Sequence, residues 1–218
     1  MKPILRGPEL YCITDQHLCP LPLVEQVRQM AEGGARIIQL RAKGMDWKEV
    51  QRIAKECAAI AREHRAIFIV NDDAKIANVA GADGVHLGQD DDAPMGVRHI
   101  VTRDALIGVS THTRAQFMDA VSDSYADYIA LGPVFGTTTK ANADPPPGFD
   151  LIEEAAAIME KDGRPLVLIG GITLENLPQV RKVAPNAIIA VIGGILKQPP
   201  IAERIAEFRE ALGMGYGV

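Results

Sequence analysis

Eight short, β-rich apolar runs alternate with longer stretches of helical period, no linker or composition shift interrupts them, and the residues that follow the apolar runs are unusually polar. These observations predict one α/β domain over residues 1–218, a single (β/α)8 TIM barrel with about 27 residues per βα unit. A chain of 218 residues can bury a substantial core in one such domain.

The first strand is expected at residues 10–14, Leu10-Tyr11-Cys12-Ile13-Thr14, with a helix at 23–32 behind it. Gly34-Ala35-Arg36 introduces the second strand at 37–41, and Asp46 is placed to cap a long helix at 46–63. The third strand, 67–70, runs through Asn71-Asp72-Asp73 into a helix at 73–79. Gly81-Ala82-Asp83 introduces the fourth, 84–87, with a helix at 95–101 beyond an acidic loop. The fifth, 106–110, leads to Thr113 as N-cap of a helix at 114–122. Tyr125-Ala126-Asp127 introduces the sixth, 128–131, and Asp150 is expected to cap the helix at 150–161. The seventh, 166–169, precedes Thr173 as cap of a helix at 174–183. Ala184-Pro185-Asn186 introduces the eighth, 188–192, and a helix at 201–212 closes the pattern. The tripeptides before alternate strands form a weak internal echo, as a barrel with alternating side-chain layers allows. A doubly wound open sheet would carry a glycine-rich turn after its first strand, and Thr14-Asp15-Gln16-His17 is not one.

Composition excludes several functions. Aromatic residues are 5% of the chain and the formal net charge is −5, so base stacking and general phosphate-backbone binding are both disfavoured. Any anion must be met by a local cluster of cations. Cys12, Cys19 and Cys57 have neither an even count nor a CxxC spacing, so reduced, partly buried thiols are expected rather than a disulfide framework or zinc site. No apolar run reaches the roughly 18 residues of a membrane span, and the first eight residues lack the apolar stretch of a signal peptide. A cytoplasmic protein without membrane or nucleic-acid partners is expected; whether copies associate into a homo-oligomer is left open.

In a parallel barrel the chemistry gathers where strands end and the following loops begin. By period-two alternation Gln39, Arg41 and Lys43 project to one side, and Lys140 can join them, a set suited to a phosphate or pyrophosphate. The diglycines Gly170-Gly171 and Gly193-Gly194 follow the last two strands, where barrels commonly bind phosphate; they are read as a second anion site or as tight left-handed turns. Asp72 and Asp91 end adjacent strands and, with waters and a bound pyrophosphate, make a hard-oxygen shell for Mg²⁺. Asp73, Asp90 and Asp92 crowd beside them, helix capping being the other reading for any of these acids. A general acid/base pair of carboxylates is not expected, because no neighbouring feature would raise one pKa. His86 reads as a satisfied core histidine rather than a metal ligand, and His86 with His112 makes no metal-ligand spacing. Ser110 has no adjacent base, so it reads as a hydrogen-bonding group rather than a nucleophile. Thr137-Thr138-Thr139-Lys140 and the segment 141–148 read as a mobile lid carrying hydroxyls and a charge.

The ordered set Tyr11-Cys12-Ile13-Thr14-Asp15, Gln39-Leu40-Arg41-Ala42-Lys43, Asn71-Asp72-Asp73, Gly84-Val85-His86-Leu87-Gly88-Gln89-Asp90-Asp91, Gly108-Val109-Ser110-Thr111-His112, Gly132-Pro133-Val134-Phe135-Gly136-Thr137-Thr138-Thr139-Lys140 and Ile169-Gly170-Gly171-Ile172 resembles the thiamine-phosphate synthase family over nearly the whole chain. The resemblance implies a TIM barrel that joins a hydroxymethylpyrimidine diphosphate to a thiazole phosphate and releases pyrophosphate with Mg²⁺. It implies that Gln39, Leu40, Arg41, Ala42, Lys43, Asn71, Ser110 and Lys140 hold the pyrimidine diphosphate, with Ser110, Lys140 and Arg41 acting at the reacting centre. Asp72 and Asp91 would ligate Mg²⁺, and Thr137, Thr138, Thr139, Gly171, Ile192 and Gly193 would hold the thiazole phosphate. The implied chemistry is dissociative: pyrophosphate leaves, and the thiazole nitrogen captures the resulting pyrimidinyl-methyl cation. Two departures stand out, Ile192-Gly193-Gly194 where the family has Ile-Ser-Ala, and Gly136-Thr137 in place of a common proline. A related isomerase branch, thiazole tautomerase, carries a histidine where this chain has Pro133 and lacks much of the diphosphate set. A non-catalytic sensor of thiamine intermediates is a third reading, motivated by Gly193.

Overall fold

The computed structural model describes residues 2–136, 145–198 and 200–214. Its strands are β1 (Glu9–Ile13), β2 (Ile37–Leu40), β3 (Ile67–Asn71), β4 (Gly84–Leu87), β5 (Leu106–Thr111), β6 (Tyr128–Leu131), β7 (Leu166–Ile169) and β8 (Ile188–Val191). They pair in parallel in sequence order, and β1 also pairs with β8, which closes the barrel. The helices among the described residues are α1 (Leu23–Glu32), α2 (Trp47–Glu63), α3 (Ala74–Ala80), α4 (Pro94–Arg98), α5 (Arg114–Ser122), α6 (Phe149–Asp162), α7 (Leu177–Val183), α8 (Gly193–Leu196) and α9 (Ile201–Ala211). None of them is long and apolar enough to cross a membrane.

Alternation along each strand divides the core into two layers. Tyr11, Ile13, Ile37, Ile69, Leu106, Tyr128, Val167 and Ile188 fill the barrel interior. Leu10, Cys12, Ile38, Leu40, Phe68, Val85, Ile107 and Leu168 face outward and pack against the helices. The three cysteines belong to this outer layer, buried and free. One interior contact demands a glycine: a Cβ on Gly108 would lie 2.0 Å from the Cζ of Tyr128, so the Tyr128 ring occupies the volume a side chain on β5 would need.

Two of the expected caps hold. The Asp46 side chain accepts from the N–H groups of Lys48 and Glu49, and Thr113 forms a reciprocal capping box with Gln116. Two do not. Asp150 lies inside the first turn of α6, whose N-cap is Gly148 at a φ of 87°, so its carboxylate acts only on the helix dipole. Helix α7 begins at Leu177 rather than 174 because Pro178 in a helix starting there would clash with the Leu174 carbonyl four residues back. Thr173 therefore precedes the helix, and its N–H donates to the Asn176 Oδ1 at 2.8 Å. Helix α4 starts at Pro94, where a missing N–H costs nothing, and is shorter than expected. The short α8 was not expected: Gly193-Gly194 opens a helical turn, whereas Gly170 and Gly171 adopt left-handed φ values of 103° and 64°. The left-handed reading of the diglycines thus holds for the first pair only.

Candidate active site

The carboxyl ends of the strands surround one cavity of about 960 Å³. Its wall includes Gln39, Arg41, Lys43, Asn71, Asp72, Asp91 and Ser110 on one side, and Gly171, Ile192 and Gly193 on the other. The two anion sites expected from the sequence thus open into a single space. Leu40 and Ala42 are corrections: neither lines the cavity, because alternation turns Leu40 into the buried layer beneath the helices and packs Ala42 against the same layer. Thr137, Thr138, Thr139 and Lys140, with the expected lid through residue 144, lie outside the described residues.

Of the three expected cations, the two that the structure describes each carry an acidic partner. Arg41 donates from a terminal guanidinium nitrogen to the Asp15 Oδ2 at 2.5 Å, and the Lys43 Nζ lies 2.5 Å from the Asp72 Oδ2. Asp15 is almost fully buried, and its other oxygen accepts from the N–H groups of His17 and Leu18, so it is a fixed post behind Arg41. A guanidinium has five N–H donors, so one carboxylate oxygen does not exhaust it.

Asp72 and Asp91 meet at the end of β3 and β4. Burial holds the Asp72 carboxyl above the usual carboxylate range; Lys43 pulls it back down, and the Asp91 carboxyl beside it pushes it up. The expectation that nothing would raise a carboxylate here is therefore wrong: burial of the Asp72 carboxyl is the largest cause, and the Asp91 carboxyl at the end of the adjacent strand adds to it. Asp72 also adopts a φ of 65°, a strained conformation for a non-glycine residue. Asp91 Oδ2 accepts from the Gly88 N–H at 2.6 Å. Asp73 is resolved in favour of capping, since its carboxylate accepts from the Ile76 N–H and the Trp47 Nε1–H. Among the described residues no group of three His, Cys, Asp or Glu side chains could hold a metal. Two crowded carboxylates, already attracting an ammonium, fit a divalent cation only if a phosphate supplies further oxygens.

His86 meets the expectation of a satisfied core histidine: it is buried, with Tyr128 Oη 3.0 Å from Nδ1 and Ser110 Oγ 2.8 Å from Nε2. Burial lowers its pKa to about 4, so it is neutral at physiological pH. It also lines the cavity, and it places an imidazole beside Ser110, a neighbour that the sequence reading of Ser110 did not include. Sequence reasoning also missed Tyr11 and Asp15 as parts of the site. Tyr11 sits at the top of the barrel interior, where its Oη accepts from the Gln39 Nε2–H at 2.7 Å. An inward tyrosine among aliphatic barrel residues is the signal that was available for it.

A closed parallel barrel with a large cavity at the carboxyl ends of its strands, lined on one side by cationic, carboxylate and amide side chains, defines a (β/α)8-barrel enzyme. The sequence profile described as thiamine monophosphate synthase matches residues 10–195. A thiamine-phosphate synthase of Methanospirillum hungatei is 39% identical over 204 residues, 93% of this chain and 97% of that one. One from Chlorobium phaeovibrioides is 39% identical over 88% of each chain. Among solved structures, a thiamine phosphate pyrophosphorylase from Pyrococcus furiosus superposes with a TM-score of 0.83 at 31% identity, over 96% of this chain and 97% of that one. Phosphoribosyl anthranilate isomerase of Thermotoga maritima, with a TM-score of 0.61 at 16% identity, shares the fold alone. The chain belongs to the thiamine monophosphate synthase family, whose members are transferases that release pyrophosphate.

Proposed function

We propose that the cavity joins a pyrimidinyl-methyl diphosphate to a thiazole phosphate, giving thiamine phosphate and pyrophosphate. The observation that carries this reading is the convergence of Gln39, Arg41, Lys43, Asn71, Asp72, Asp91 and Ser110 on one wall and Gly171, Ile192 and Gly193 on another, within a chain of this family. Arg41 and Lys43 take the diphosphate, Asn71 and Ser110 orient the pyrimidine end, and Lys140 joins them. Asp15 holds the guanidinium from behind, which reduces the rotamer freedom lost when the anion binds. Mg²⁺ held by Asp72, Asp91 and diphosphate oxygens would supply neutralising charge to the departing pyrophosphate. The carbon–oxygen bond breaks, both electrons leave with pyrophosphate, and the thiazole nitrogen supplies the pair that forms the new carbon–nitrogen bond. Arg41, Lys43 and Lys140 stabilise the charge that grows on the leaving group, so the protein contributes orientation and electrostatics rather than a nucleophile.

The thiazole phosphate lies against Gly171, Ile192 and Gly193, with Thr137, Thr138 and Thr139 contributing hydroxyls. A Cβ at Gly171 would come within 2.6 Å of the Gly136 carbonyl oxygen, so glycine keeps that wall thin. Three free, buried thiols suit a reducing compartment, which supports a cytoplasmic location. The test is incubation with both substrates, with and without Mg²⁺, following pyrophosphate and thiamine phosphate. Stoichiometric, Mg²⁺-dependent formation of both is expected; a folded protein that forms neither would sink the reading.

A further inference from the structure

Ser110 beside His86 has the outline of a nucleophile–base pair, and the buried groups beneath the pair decide whether it is one. A carboxamide nitrogen only donates, so the Gln39 Nε2 contact of 2.7 Å makes Tyr11 Oη an acceptor there. The single Tyr11 proton then goes to its other partner, Tyr128 Oη at 3.1 Å. Tyr128, having accepted, donates its own proton to the His86 Nδ1 at 3.0 Å. Both phenols are fully buried and burial pushes their pKa values up, so each keeps exactly one proton to spend. With Nδ1 accepting, the neutral ring carries its hydrogen on Nε2, which faces Ser110 Oγ at 2.8 Å.

We propose that Gln39, Tyr11, Tyr128 and His86 form a one-way hydrogen-bond chain that ends on the Ser110 oxygen and commits the Ser110 hydroxyl proton to the cavity, as a donor to an acceptor atom of the bound substrate. His86 is then unable to take that proton, so Ser110 is not a nucleophile. Tyr11, Tyr128 and His86 are positioning residues that act through Ser110. The chain also leaves the Gln39 carbonyl oxygen to accept, so the two ends present one acceptor and one donor to a flat heterocycle. The functional half of this inference rests on the transferase reading; the tautomer of His86 does not.

The experiment has two arms. In the protein labelled with ¹⁵N-histidine, the His86 resonances, assigned by their loss in His86→Gln, are expected to show a pyridine-type Nδ1 and a protonated Nε2; a protonated Nδ1 overturns the proposal. In the second arm, Tyr128→Phe, Ser110→Ala and the double variant are compared in kcat/KM. Breaking the chain is expected to cost roughly tenfold, the scale of one buried hydrogen bond. The double variant is expected to be no worse than Ser110→Ala alone, because Tyr128 acts only through Ser110; additive losses mean an independent structural role and refute the positioning claim. Tyr11→Phe, which keeps the ring volume, serves in the same cycle if Tyr128→Phe fails to fold. A protein without transferase activity loses the second arm's basis together with the function, while the spectrum still decides the polarity of the chain.

Discussion

Acid stability offers a direct measure of how deeply His86 is committed to its neutral form. In the unfolded chain an imidazole titrates near 6.5, whereas in the barrel burial lowers the His86 value to about 4. Between those values the unfolded state binds a proton that the folded state refuses, so stability falls as pH drops from 6.5 toward 4, and the residue has no such effect above 6.5. A shift of that size corresponds to about 3 kcal/mol at the acid end, approached at no more than about 1.4 kcal/mol per pH unit. The burial of the ring means that solvent screening does not erode this figure. Carboxylates also lose stability in acid, so the assay is a comparison: urea unfolding of the wild type and of His86→Gln at pH 7.5, 6.5, 5.5 and 4.5, conditions chosen to bracket the window. The difference in unfolding free energy between the two proteins should narrow or reverse as pH falls, by about 2 kcal/mol over the series. A difference that stays constant would mean that His86 protonates normally in the folded state, and would refute the account of its burial.

Gly108→Ala should drive a methyl group into the Tyr128 ring and cost about 3 kcal/mol, or roughly 6–12 °C in Tm, by thermal unfolding; an unchanged Tm would show that the ring moves freely. Asp15→Asn keeps the oxygen that accepts from His17 and Leu18 but removes the charge behind Arg41. It should lower kcat/KM by about tenfold, mainly through KM for the pyrimidine diphosphate, and an unaffected KM would remove Asp15 from the site.

The strands were legible because each is an apolar run bounded by turn residues, and the bounds of α1 and α5 agree with the sequence reading residue for residue. Alternation sufficed to put Gln39, Arg41 and Lys43 on one wall, and the same rule, applied strictly, would have excluded Leu40 and Ala42. The buried chain from Gln39 to Ser110 was not legible, since Tyr11 and Tyr128 are separated by 117 positions and meet only across the barrel interior. Asp15 was hidden for a similar reason: its charge partner comes from the neighbouring strand's end, 26 residues on. The adjacency of Asp72 and Asp91 was legible in the strand order, but the burial that does most to lift the Asp72 pKa was not, since it depends on how the loops pack around the carboxyl.

The pairing of β1 with β8 has a consequence for biosynthesis. Leu10 meets Ile189 and Cys12 meets Val191, so the first strand of the barrel to be made finds one of its two partners only once the last of the eight strands has emerged. Until then β1 and the latest strand each present an open row of amide and carbonyl groups, the template on which foreign strands add. Slow translation, or a truncation between β7 and β8, would prolong that interval and favour aggregation over closure. The same pairing that leaves the finished barrel without an edge makes the last strand the one on which the whole nascent chain waits.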